Sequence, residues 1–105
     1  MRREHVYRAV LVKERPDDRS LGVVFPELPG CVSAGEGFED AIRMAHEALA
    51  LHLSGMLMDG EGLPAPQALE APLPEWLVTG GPMVEAGRVP IRVAVTVEAE
   101  PVLVA

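Results

Sequence analysis

The sequence predicts a single small α+β domain in which one long helix packs across an antiparallel sheet. Three observations predict this class: β-branched apolar runs near the start, one apolar stripe at spacings of three and four in the middle, and strict alternation near the end. At 105 residues the chain can bury one hydrophobic core and is too short for a second substantial domain. We therefore expect the order β-β-β-α-β within one domain that spans residues 1–105.

The first two strands are predicted at Val6–Val12 and Leu21–Phe25, joined as an antiparallel hairpin. Val6–Val12 is apolar enough to be buried on both faces, although Arg8 interrupts the run. The intervening Pro16–Ser20, with the sequence PDDRS, is typical of a turn. Pro26 ends the second strand because proline cannot donate a hydrogen bond to the ladder.

A rigid connector follows the second strand. The sequence Leu-Pro-Gly-Cys at 28–31 predicts a type II turn, because Pro29 presets φ at the second position and Gly30 supplies the positive φ that the third requires. A short third strand, Cys31–Ala34, comes next. We interpret this connector as the element that turns the chain from the sheet edge into the helix, and we assign it no chemistry.

One amphipathic helix is predicted from Phe38 to Asp59, with Gly37 as its N-cap. On its polar face Arg43 is spaced to pair with Glu39 and with Glu47. Gly60 ends the helix. The apolar stripe consists of residues three and four apart: Ala41, Ile42, Ala45, Leu49, Leu53, Met56 and Leu57.

The segment after the helix is harder to interpret. Residues 67–90 hold four prolines and three glycines around the apolar Trp76-Leu77-Val78, which predicts either a short extra element or a mobile flap. Ile91–Val97 alternates apolar and polar residues and is predicted as a half-buried last strand, followed by a short tail over 98–105.

Negative charge dominates the body of the chain. The net charge is −7, and ten acidic residues stand against the single base Arg43 between Leu21 and Gly87. Such a surface repels nucleic acid and suits a basic partner, although acids that only keep the chain soluble would give the same pattern. The single cysteine excludes an internal disulfide, which favours a cytoplasmic location. No signal peptide or membrane span is predicted.

No catalytic, cofactor or metal site is predicted. Cys31 lies among apolar and acidic neighbours that would not activate a thiol, so packing is the favoured role. His46 and His52 are six residues apart, which is not the spacing that lets two histidines of one helix face hold a metal.

Three short motifs resemble the HicB antitoxin family when taken in their order and spacing. They read FPELPGC from position 25, GEGFEDA from position 35 and DGEGLPAP from position 59. The resemblance covers the core 5–66, and less firmly the strand at 91–97, and it implies a partial ribonuclease H-like fold. The positions that carry it are Phe25, Pro26, Pro29, Gly30, Cys31, Gly35, Ala41, Gly60 and Pro64.

The resemblance implies an antitoxin that binds and silences a small, basic, mRNA-cleaving toxin of the HicA type. Glu27, Glu36 and Glu39 are the candidate contacts with that partner, because a rigid turn and a helix start can present charge at low entropic cost. Reversing all three to lysine is expected to slow association with the toxin. An orphan oligomeric binding module of the same fold, without a toxin, is the alternative.

The sequence departs from the family pattern at three places. Glu27 replaces the usual aspartate, and Gly37 replaces the usual Ser or Thr. After Val97 too few residues remain for the DNA-binding domain that many members carry, so we expect no separate DNA-binding domain and no specific DNA binding by this chain. Apolar surface on the last strand and on Val102–Val104 predicts self-association, most simply a homodimer.

Overall fold

A computed structural model describes residues 3–13, 19–78 and 91–99. The strands form one antiparallel sheet in the order β3-β2-β1-β4, which confirms the predicted α+β class and the order β-β-β-α-β. Most of the predicted turn after β1, the second half of the proline-rich connector and the tail lie outside the described residues. The elements are β1 (Arg3–Lys13), β2 (Ser20–Val24), β3 (Val32–Glu36), α1 (Gly37–Met58), α2 (Glu75–Val78) and β4 (Ile91–Ala99).

Strand β1 lies at the centre of the sheet and pairs antiparallel with both β2 and β4. Val10 is opposite Val24 on one side and Arg92 on the other, so the predicted hairpin of β1 and β2 is confirmed. Strand β1 begins before the predicted Val6 because its pairing with β4 continues to Arg3, which lies opposite Ala99.

The main core lies between α1 and one face of the sheet. The odd-numbered residues Tyr7, Ala9 and Leu11 of β1 point into it together with Val23 and Val95. Ile42, Met56 and Leu57, also on the predicted stripe, are partly buried at its margin. The fully buried residues of α1 are Ala41, Ala45, Leu49 and Leu53.

The opposite face of the sheet carries a second, smaller core. The even-numbered Val10 and Val12 of β1 pack with Leu77 of α2, and Val24 and Leu73 pack at the margin. Strand β1 is therefore buried on both faces, as predicted. Of the two interpretations of the connector, a short extra element is confirmed within 67–78, since α2 and the segment before it cover this face.

Helix α1 begins where strand β3 ends, without a side-chain cap. Its N-cap is Glu36, so the prediction that Gly37 caps the helix was wrong by one residue. Instead of a capping side chain at that position, the carboxylate of Asp40 accepts a hydrogen bond from the backbone N–H of Glu36 at 2.9 Å. The bond satisfies one of the N–H groups at the helix start, from a side chain one position beyond the N3 residue of a capping box.

Strand β3 and the first turn of α1 approach each other at backbone distance. A Cβ added to Gly35 would lie 2.5 Å from the backbone nitrogen of Ala41, closer than any side chain tolerates. Glycine at 35 is therefore required for the strand to lead directly into the helix. This contact gives a physical reason for one of the motif positions named above.

The helix ends as predicted at the Asp59-Gly60 pair. The N–H of Gly60 donates to the carbonyl of Leu57 at 3.2 Å, and the N–H of Glu61 donates to the carbonyl of Met56 at 2.9 Å. These two bonds define a Schellman motif, which satisfies the last carbonyls of the helix and redirects the chain.

Candidate partner-binding surface

The turn between β2 and β3 closes as the sequence predicts. The N–H of Cys31 donates to the carbonyl of Leu28 at 2.9 Å, and Gly30 has a φ of +91°, as a type II turn requires. The N–H of Leu28 in turn donates to the carbonyl of Phe25 at 3.0 Å. Phe25 and Leu28 are buried in the main core, so the turn is fixed at both ends and its backbone cannot shift freely.

Glu27, which projects from this turn, forms an ion pair with Arg8 inside the protein. The Nε of Arg8 lies 3.0 Å from Oε1 of Glu27, and its Nη2 lies 3.0 Å from Oε2. The two side chains are only 2% and 10% exposed. Glu27 therefore has an internal partner, and its predicted contact with a second protein stays a prediction.

Arg8 also fastens the segment after α1 to the second face of the sheet. Its Nη1 donates to the carbonyls of Ala68 and Ala71, and its Nη2 donates to the carbonyl of Pro72 at 3.0 Å. All five N–H donors of the guanidinium thus have acceptors. Arg92 of β4 donates to two carbonyls of the same segment, at 3.0 and 3.1 Å. Two arginines therefore hold residues 68–72 in place.

The sequence contained a signal for this network. Arg8 interrupts an apolar strand that the sequence predicts to be buried on both faces. A charged residue in such a strand must be paired and hydrogen-bonded, because burying an isolated charge is prohibitively costly. The identity of the partners, which lie 19 and 60 to 64 residues away, could not be read from local spacing.

Tyr7 ties the chain that leaves α1 to the core. Its hydroxyl donates to the carbonyl of Pro64, which explains why the DGEGLPAP motif keeps a fixed path after the helix. Burial raises the pKa of Tyr7, and the negative charge of Glu27 raises it further. Tyr7 is therefore a neutral hydrogen-bond donor at physiological pH.

Glu36 and Glu39 are both exposed at the start of α1. Arg43 pairs with Asp40 and with Glu47, so the predicted pair with Glu47 is confirmed and the predicted pair with Glu39 was wrong. The backbone N–H of Glu36 lowers the pKa of Asp40, and the hydrogen bond from Arg43 lowers it further. Within the described residues the Glu39 carboxylate has no ion-pair partner, which leaves it available to a second molecule.

The structure does not bring the three predicted contact residues together. Glu27 lines a cleft beside Gly55 and Asp59, at the C-terminal end of α1. Glu36 and Glu39 lie at the N-terminal end of the same helix, which has 22 residues and a length of about 33 Å. The candidate contacts therefore lie at two places: Glu27 is beside the C-terminal end of α1, and Glu36 and Glu39 are at its N-terminal end.

The cleft beside Glu27 has a volume of about 450 Å³. One wall is the turn at Leu28 and Pro29, and the other is α1, including the exposed Leu51. Sequence reasoning did not single out this concave surface, because it forms only when the turn packs beside the second half of the helix.

Side chains with catalytic potential have other roles in the described structure. Cys31 is 3% exposed, and burial raises its pKa to about 11, so its thiol is neutral at physiological pH and serves as a core residue. His46 is exposed, with Nδ1 2.9 Å from the carbonyl of Ile42. Across 3–13, 19–78 and 91–99, no three His, Cys, Asp or Glu side chains are grouped so that they could hold a metal. None of the helices in these ranges is long and apolar enough to cross a membrane.

The sequence matches a family profile described as a HicB-like antitoxin of bacterial toxin–antitoxin systems, over residues 7–78. The matched range includes Arg8, the turn, α1 and the segment that the two arginines hold. An uncharacterized 14.9 kDa protein from the rep-hol intergenic region of Haemophilus phage HP1 is 44% identical over 48 residues. That alignment covers 46% of this chain and 36% of the phage protein.

Solved toxin–antitoxin structures have the same fold. A chain in a toxin–antitoxin complex from Streptococcus pneumoniae is similar with a TM-score of 0.70 at 19% identity, covering 90% of this chain and 69% of that one. A chain in the HicA3 and HicB3 toxin–antitoxin complex is similar with a TM-score of 0.55 at 26% identity, covering 92% of this chain and 100% of that one. Both likenesses support the sheet order and the single crossing helix described above.

Proposed function

The chain belongs to the HicB-like antitoxin family of bacterial toxin–antitoxin systems, and on this premise we propose that it binds and neutralises a small basic ribonuclease toxin of the HicA type. The family match over residues 7–78 carries the proposal. The likeness to a chain of the HicA3 and HicB3 complex supports this choice of partner. Neutralisation on this proposal is by binding alone, so the chain needs no catalytic group.

The charge distribution supports a basic partner. Between Leu21 and Gly87 ten acids stand against the base Arg43, and Arg43 is itself paired with two of them. Exposed acids at both ends of α1 therefore create a negative potential along the helix. Such a field accelerates the encounter with a basic protein and orients it before contact.

The proposal is tested by sequencing the reading frames that flank this gene and co-expressing the chain with a small basic protein encoded in one of them. We expect that protein alone to arrest growth, and we expect co-expression to restore growth and to yield a complex that co-purifies. A folded chain that neither restores growth nor co-purifies would refute the antitoxin function and favour an orphan binding module of the same fold.

Glu36 and Glu39 provide a test of electrostatic steering. Reversal of Glu27 would place a lysine against the buried Arg8, so the informative variant is Glu36→Lys with Glu39→Lys and without the third substitution. We expect the association rate constant with the toxin to fall about tenfold at low salt and its salt dependence to weaken, because the steering charge is lost. Stopped-flow mixing at several salt concentrations measures both.

A matched control separates local steering from net charge. Glu70 and Glu75 are also exposed, and reversing both changes the net charge from −7 to −3, the same change as in the test variant. We expect this control to lower the rate constant much less. Equal effects of the two variants would show that only total charge matters and that Glu36 and Glu39 are not contacts.

We also propose that the chain self-associates, most simply as a homodimer through β4. This nine-residue strand is at one edge of the described sheet, and Ile91 on β4 and Val6 on the neighbouring β1 are 46% and 42% exposed. Light scattering at micromolar concentration should give a dimer mass, and Ile91→Lys should shift it towards monomer. A monomer mass for the unmodified chain would contradict the proposal.

Two further expectations accompany the proposed function. The acidic body supports our expectation that this domain does not bind duplex DNA specifically, because phosphate contacts need clustered Lys and Arg. A toxin that cleaves mRNA acts in the cytoplasm, so we propose that location for the complex.

A further inference from the structure

Two adjacent cavities lie along one side of α1. They are the cleft of about 450 Å³ beside Glu27 and a cavity of about 220 Å³ beside Gly30 and Val32. Leu51 and His52 line both cavities. We call this surface the α1 groove.

The groove is bordered by large apolar side chains that the fold leaves exposed. Leu51 is 77% exposed and Val32 is 61% exposed, whereas Leu49 and Leu53 on the other side of the same helix are fully buried. A single exposed leucine is ordinary on a protein surface. Leu51 and Val32 line the same cavity, so their exposed apolar surfaces belong to one concave surface.

One end of the groove carries negative charge that the fold itself does not neutralise. Asp59 and Glu61 line this end, and neither has an ion-pair partner within the described residues. They lie at the C-terminus of α1, where the helix dipole is already negative, and no basic residue occupies the last turn. The two carboxylates are repelled by the negative end of the helix dipole, which destabilises the free helix slightly. A bound cation would reduce this repulsion.

Resting on the proposed function, we propose that the α1 groove is the docking site for a basic amphipathic segment of the toxin. An apolar side chain of that segment packs on Leu51, and its Lys or Arg side chains contact Asp59 and Glu61. Charge complementarity selects this occupant, because an acidic or uncharged segment would leave the two carboxylates without a counterion. Glu36 and Glu39 steer the encounter from the other end of α1, whereas the groove holds the bound partner.

The test uses the basic protein from the adjacent reading frame, inactivated by substitution of its catalytic histidine, and the full-length chain. Two groove variants are compared: Asp59→Asn with Glu61→Gln, and Leu51→Ser. We expect each to weaken the dissociation constant at least tenfold, mainly through faster dissociation, because contacts formed in the docked complex are lost. The acid-to-amide variant should also unfold at the same or a higher temperature than the parent, since it removes repulsion at the helix end.

Controls of matching chemistry lie elsewhere on the molecule. Phe38→Ser removes a 49% exposed apolar side chain at the start of α1, and Glu70→Gln with Glu75→Gln removes two exposed carboxylates outside the groove. We expect both controls to retain affinity within about twofold, because neither changes the groove. Loss of affinity in these controls equal to that in the groove variants would overturn the proposal.

The remaining outcomes separate the groove from the antitoxin function. If the parent binds the toxin and the groove variants bind equally well, the groove proposal is wrong and the function stands. If the parent does not bind, the proposed function is wrong. If the groove variants change the mass in light scattering and not the affinity for the toxin, the occupant is a second copy of this chain and the proposal is again wrong.

Discussion

Replacing Leu49 with aspartate should prevent the chain from folding. Leu49 is 0% exposed and lies in the middle of the α1 stripe, packed against the sheet. Loss of the leucine alone costs about 2–5 kcal/mol, and an unpaired carboxylate in the same place adds a large desolvation cost. Together these losses match the whole stability of an ordinary domain, which is about 5–15 kcal/mol.

The same helix offers an internal control for this variant. Leu51, two positions further on, is 77% exposed, so Leu51→Asp removes the same side chain and adds the same charge without burying it. We expect Leu51→Asp to fold with a cooperative thermal transition in circular dichroism and Leu49→Asp to show none. A cooperative transition in Leu49→Asp would contradict the placement of the core.

The helix and its end were predictable because the information is local. The stripe from Ala41 to Leu57 repeats every three to four residues, and Asp59-Gly60 supplies a C-terminal signal that the Schellman hydrogen bonds confirm. The start was off by one residue because Gly37 was interpreted as a weak cap, whereas the cap is Glu36 and the hydrogen bond comes from Asp40.

The second face of the sheet could not be predicted in the same way. The segment that covers this face is held by hydrogen bonds from Arg8 to carbonyl groups about 60 residues further along the chain. Every residue has a backbone carbonyl, so the sequence does not indicate which carbonyls will accept a hydrogen bond from Arg8. The α1 groove was missed for a related reason: the apolar stripe leaves Leu51 outside the core, but only the packed turn shows that Leu51 lines a concave surface.

Glu27 has the fixed position that its place in a rigid turn predicts, but its carboxylate also takes part in the fold. Its place in a rigid turn predicted a charge presented at low entropic cost, and the turn does hold it in a fixed position. The charge is turned towards Arg8, which makes Glu27 part of the fold, while its position at the edge of the α1 groove keeps it beside the proposed docking site. Glu36 and Glu39 at the start of α1, and Asp59 and Glu61 at its end, are the acids that we propose for contact with the partner.

Truncation of Arg8 to alanine should therefore be among the most damaging substitutions in this protein. It leaves the carboxylate of Glu27 nearly buried without a counterion and removes the donors that hold Ala68, Ala71 and Pro72 on the second face. Removing one partner of a buried ion pair costs about 3–5 kcal/mol. Urea unfolding monitored by circular dichroism measures the loss.

Further substitutions at this pair separate charge pairing from packing. Arg8→Lys should recover only part of the loss, because an ammonium has three donors where the guanidinium uses five. Combining Arg8→Met with Glu27→Leu should cost less than the sum of the single changes, by about 0.5–3 kcal/mol, since neither charge is then left unpaired.

Arg43→Ala, at an exposed pair with a side chain 61% accessible, should hardly move the unfolding midpoint. If Arg8→Ala were as mild as Arg43→Ala, Arg8 would not be what holds residues 68–72, and Arg92 with the apolar contacts of Leu73 and Leu77 would have to hold them.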